Sequence, residues 1–107
     1  MKKRESKLWQ RIKKLNLKGQ IFRIELKSNN IKNCGLSKYQ MNWHLSHLKN
    51  GGVSYILREA LSQKTLQLFK PREPRNLEIL AEGENSRTTL LLHFDKMLWE
   101  LGIEDLI

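Results

Sequence analysis

Apolar residues recur along this chain with two different periods, and the switches between them divide it into elements. Leu8, Trp9, Ile12 and Leu15 fall at helical spacing over residues 4–16, with Lys3, Lys7, Arg11, Lys13 and Lys14 on the remaining sides. An amphipathic helix with a cationic outer face is predicted there. Gly19 closes the link that follows, and from about Gln20 the period drops to two. Phe22, Ile24 and Leu26 then share one side of a strand, and Arg23, Glu25 and Lys27 share the other.

A turn-rich stretch, 28–35, leads to Ser37, placed to N-cap a helix over Lys38–Lys49, and Asn50-Gly51-Gly52 stops that helix. Val53–Arg58 reads as a second strand and Leu66–Phe69 as a short third one, ended by Pro71 and Pro74. Residues 71–85 read as a linker with at most one weak strand at 77–81. A last helix is predicted from Ser86 to Leu101, with Leu90, Leu91, Phe94, Leu98 and Leu101 on one stripe. Met97 and Trp99 place apolar surface on further sides, which suits packing against the sheet and against a second subunit. The expected architecture is α/β, a small mixed sheet flanked by helices. It divides into a basic core, residues 1–70, the linker, and a C-terminal helix in 86–107.

Composition narrows the partners. In 107 residues, 20 Lys and Arg oppose 11 Asp and Glu, a net charge of +9, which favours a polyanion such as nucleic acid. Residues 72–107 hold four basic and eight acidic groups, so the sixteen basic and three acidic groups of residues 1–71 carry a net of +13. The binding surface is therefore expected in the first two thirds, on Lys3, Arg4, Lys7, Arg11, Lys14, Lys18, Arg23 and Lys38. The single cysteine, Cys34, excludes an internal disulfide and a cysteine-rich zinc site and suits a reducing compartment, the cytoplasm by default. No segment has the length and apolarity of a signal peptide or membrane span.

Candidate chemistry concentrates on the alternating strand. A carboxylate and a lysine two residues apart present a cation ligand and a positive charge on the same side, and Glu25 and Lys27 stand in that relation. Gln40, His44 and His47 follow at i, i+4 and i+7 on the second helix. A zinc site there needs further ligands, with Cys34 the one soft candidate, so packing or phosphate contact is the expected role of the histidines. Tyr39 and Trp43, on another side of that helix, are expected in the core.

The order of these features resembles the PD-(D/E)XK nuclease superfamily, particularly small phage-type nucleases related to the VRR-NUC and archaeal Holliday-junction resolvase groups. The resemblance covers residues 4–70: Glu5 in the first helix, Glu25-Leu26-Lys27 as the (D/E)XK strand, Gln40 near the start of the next helix, then Gly51-Gly52 and an apolar strand. It implies a reduced restriction-endonuclease-like core and Mg2+- or Mn2+-dependent hydrolysis of DNA. By the resemblance, Glu5 and Glu25 hold the metal, and Glu25, Lys27 and Gln40 form the catalytic set. Glu5 has a second reading, since an acid in a first helical turn also complements the helix dipole.

The chain departs from the family in lacking the aspartate strand that normally precedes (D/E)XK. A partner chain in a homodimer, an acid such as Asp95 folding back, or retention of the fold for binding alone are the three explanations. A winged-helix DNA-binding regulator, with Ser37–Lys49 as recognition helix and Tyr55–Phe69 as wing, is the alternative outside the family.

Overall fold

The computed structural model describes residues 7, 10, 11 and 23–100. Lys7, Gln10 and Arg11 are helical, in keeping with the first predicted helix. The other residues expected to form that helix, and positions 20–22 of the first strand, lie outside the described residues. From Arg23 onward the order is β1 (Arg23–Ser28), a left-handed turn at 32–35, α1 (Lys38–Lys49), β2 (Ser54–Ala60), β3 (Thr65–Arg72), β4 (Asn76–Glu84) and α2 (Arg87–Glu100). The strands form one mixed sheet in the order β1-β2-β3-β4, with β1 parallel to β2 and the remaining neighbours antiparallel. The expected α/β class therefore holds. No helix among the described residues is long and apolar enough to cross a membrane.

Parallel pairing requires a long crossover, and the turn-rich stretch plus α1 supplies it. Asn29 organises its start, accepting from the Ile31 amide at 3.1 Å and donating to the Cys34 carbonyl at 3.0 Å. Asn33, Cys34 and Gly35 all have positive φ (52°, 57° and 65°), which reverses the chain towards the sheet. Ser37 then caps α1 as predicted: its Oγ accepts from the Gln40 amide, and Gln40 Oε1 accepts from the Ser37 amide.

The register sorts every sheet residue onto one of two faces. Leu26, Tyr55, Leu57, Leu66 and Leu68 lie on one face and make the main core with Leu90, Phe94 and Met97 of α2. The other face carries Glu25, paired with Ile56, and Lys27, paired with Arg58; α1 covers it with Met41, His44 and Leu45. β2 is covered on both sides, so its apolar residues are continuous rather than alternating.

Three expectations are corrected here. Residues 71–85 are not a linker: they comprise the end of β3, a tight turn and β4, which pairs with β3 along its whole length. β4 is an edge strand with most of its residues exposed, so its sequence lacks the apolar run that marks a central strand. Pro71 lies inside β3, but beyond the last β2 pair, Ile56 with Phe69, where the strand has no neighbour on that side to lose a hydrogen bond to. On α2 the buried stripe is Leu90, His93, Phe94 and Met97, so Met97 belongs to the core rather than to an outer face, while Leu92 and Trp99 are exposed.

His93 is buried, with Nε2 3.1 Å from the Leu66 carbonyl oxygen, and burial pushes its pKa below the ordinary histidine value. The unfolded chain therefore binds a proton more readily than the folded one. This contribution to stability is complete above about pH 6.5 and is lost as pH falls through the folded value. The melting temperature is expected to drop between pH 7.5 and 5.5, and His93→Gln to flatten that drop in thermal scans; an unchanged slope in the variant would refute the assignment.

Candidate active site

Strand alternation turns Glu25 to the face of the sheet on which α1 packs, and α1 lies over β2 and β3, from where His44 and Gln40 reach back to β1. His44, 2% exposed, comes from the second turn of α1, with Nδ1 2.8 Å from Ser54 Oγ on β2 and Nε2 3.7 Å from Glu25 Oε1. A separation of 3.7 Å is too long for a hydrogen bond. Nε2 accordingly has no hydrogen-bond partner among the described residues, although it is fully buried. The imidazole beside it and Lys27 hold the Glu25 carboxyl below its usual pKa, against the opposing effect of partial burial. Glu25 is therefore anionic at neutral pH.

One turn earlier on α1, Gln40 Oε1 faces Lys27 Nζ at 3.5 Å. The same oxygen closes the helix cap, so Gln40 tethers the lysine loosely while keeping its side-chain amide as a free donor group. Arg23, Ile24, Glu25, Trp43 and His44 line a cleft of about 250 Å³ beside this cluster. The sequence thus brings Glu25, Lys27 and Gln40 together as expected, with Arg23 at the same opening.

His44 is the participant that sequence reasoning undervalued. Its signal was the i, i+4 relation to Gln40; what that spacing cannot reveal is which carboxylate lies across from it. Cys34, the one soft ligand considered, is 1% exposed and its thiol is pushed up by burial, so it behaves as a core residue. Tyr39 and Trp43 are a further correction: they are 86% and 48% exposed rather than in the core. α1 buries only the narrow stripe Met41, His44 and Leu45, leaving the adjoining aromatic side open to solvent.

Other expected site residues are placed differently. Arg11 points inward, with Nη1 2.8 Å from Asn85 Oδ1 and 3.5 Å from the buried Glu59 carboxylate, rather than outward as a phosphate-binding cation. Lys7 and Lys38 are exposed. Lys3, Arg4, Glu5, Lys14 and Lys18 lie outside the described residues. Asp95 is exposed on α2, on the opposite side of the sheet from Glu25, and so does not fold back to complete the site. Among the described residues no three His, Cys, Asp or Glu side chains converge as a ready cation cage.

Comparison with known proteins finds no matching family model, no matching curated protein and no matching solved structure.

Proposed function

We propose that this protein is a metal-dependent DNA nuclease of the PD-(D/E)XK type, hydrolysing phosphodiester bonds at Glu25, Lys27 and Gln40. The observation that carries the reading is convergence: a Glu-x-Lys strand, paired in parallel with the strand that follows a Gly-Gly stop, meets a glutamine and a buried histidine from the helix between them.

The donor set fits a divalent cation. Glu25 is anionic, held so by His44 and Lys27 beside it; a cation between the two side chains would favour the His44 tautomer that carries its proton on Nδ1, towards Ser54, leaving the Nε2 lone pair beside the carboxylate. Two facing acceptors are stabilised by a cation between them, and Glu25 with His44 would hold Mg2+ or Mn2+. An ion held by these two residues would supply Lewis acidity towards the phosphate and a more acidic water. Lys27 stabilises charge on the scissile phosphate, Gln40 orients the attacking water through its amide, and Arg23 holds a neighbouring phosphate. The place of the family's aspartate falls to a second chain. Self-association through the exposed Leu92 and Trp99 of α2 is a separate proposal for oligomeric state, because that surface lies on the opposite side of the sheet from Glu25. The winged-helix alternative draws no support from a helix that serves as the crossover of a parallel strand pair.

Incubation with linear, nicked and branched DNA plus Mg2+ or Mn2+ tests the reading. Cleavage is expected, abolished by chelator and reduced on the order of 100-fold or more by Lys27→Ala and by Glu25→Ala. Absence of cleavage on all three substrates, or cleavage that survives both substitutions, would reject it in favour of a nuclease-like fold kept for binding.

A further inference from the structure

The aromatic side of α1 has no part in the hydrolytic chemistry, yet it adjoins the site. Trp43 lines the same cleft as Arg23 and Glu25. Its ring lies nearly parallel to that of His47, with centroids 4.9 Å apart and an interplanar angle of 11°, and meets the edge of His44 at 5.1 Å. His47 lies close against Gly52 on its other side, in space that a Cβ at position 52 would take. One face of Trp43 is thus covered by the His47 ring, the His44 ring lies nearly perpendicular to it, and the side chain remains 48% exposed. Large aromatics left half exposed on a rigid backing, beside cations, are the ordinary means of stacking a nucleobase.

We propose that Trp43 is a stacking platform for an unpaired nucleobase, and that the preferred substrate is DNA with an unpaired base next to the phosphate at Glu25. Charge narrows the occupant: Arg23 lines the cleft with Trp43, and Lys27 shares the side of β1 that carries Glu25, so two cations near the ring can meet a phosphate and offset the Glu25 carboxylate. Bases in an intact duplex have both faces covered by their neighbours. A base in a single strand, bulge or branch point offers a face without the unstacking that a paired base demands. The proposal rests on the nuclease reading for the identity of the neighbouring phosphate, but base stacking itself needs no metal.

The test uses the full chain in chelator, where hydrolysis does not occur. Binding is measured by anisotropy to one sequence as a single strand, as a duplex, and as a duplex with one bulged 2-aminopurine. The wild type is expected to prefer the single strand and the bulge to the duplex, and to quench the bulged 2-aminopurine. Trp43→Ala is expected to lose about 5- to 100-fold on the unpaired substrates alone, with Trp43→Phe recovering most of the loss. Should the alanine variant not fold, Trp43→Leu keeps apolar bulk without the ring and is expected to abolish quenching. No quenching by the wild type, or unchanged selectivity in the leucine or alanine variant, overturns the proposal. So does a Trp43 variant whose only effect is dissociation of a dimer in sedimentation, which would make the ring an interface between copies. Selective binding without metal-dependent cleavage would instead leave the platform standing and remove the nuclease reading.

Discussion

Phe94→Ala is expected to cost about 3–5 kcal/mol of unfolding free energy, at the top of the range for truncating a buried side chain. Phe94 is fully buried where Leu26, Tyr55, Leu57, Leu66 and Leu68 of the sheet meet Leu90 and Met97 of α2. Removing the ring loses its transfer free energy and leaves a cavity walled by three different strands and a helix, which cannot all move inward together. A chain of 107 residues commands on the order of 5–15 kcal/mol in total. The variant therefore falls near the limit of folding at 37 °C. Urea unfolding of both proteins measures it: the midpoint should drop with the slope unchanged. A difference below about 1 kcal/mol would mean that α2 does not dock on the sheet as described. Leu92→Ala, on the exposed side of the same helix, is expected to change stability by no more than about 0.5 kcal/mol.

His44→Ala is expected to change metal preference more than any other substitution outside Glu25. Imidazole favours transition metals, whereas Mg2+ prefers oxygen ligands alone. The proposed site of one carboxylate and one imidazole is therefore expected to bind Mn2+ more tightly than Mg2+, and calorimetry on the protein measures the ratio. Removal of His44 is expected to weaken Mn2+ by at least the about 10- to 100-fold that loss of a supporting partner alone produces, with a much smaller effect on Mg2+. Ser54→Ala should give a graded loss, since the Ser54 hydroxyl holds the ring in place from 2.8 Å. Equal Mn2+ affinity in wild type and His44→Ala would remove the histidine from the metal site and leave it as a core residue bonded to Ser54.

Much of the candidate site was legible because it depends on local periods. Alternation alone placed Glu25 and Lys27 on the side opposite Leu26, and a Ser37 cap with Gln40 three residues later fixed where α1 starts. Helical spacing alone placed Gln40 and His44 on one row. Other parts were hidden by ordinary-looking residues. β4 carries Glu78, Glu82 and Glu84 with Gly83 and Asn76, a composition that suits a solvated edge and reads as a loop. Arg11 looked like one more cation of a basic helix until Glu59 and Asn85 were found across from it. Trp43 looked like core because tryptophan usually is, and the narrow buried stripe of α1 left it outside.

The amino-acid sequence by itself determined the periods, caps and stops, and hence which side chains share a face of each element. These are properties of a few consecutive residues, set by backbone geometry that does not depend on the rest of the chain. Only the tertiary structure decided that α1 packs on the face of the sheet that carries the charged side of β1 while α2 packs on the other, that β4 completes the sheet, and that Nε2 of His44 stops 3.7 Å from Glu25. Those outcomes follow from long-range burial: β2 is buried on both faces, so each face is covered by a helix, and the parallel crossover lays its helix on the face of the sheet to which β1 turns the carboxylate.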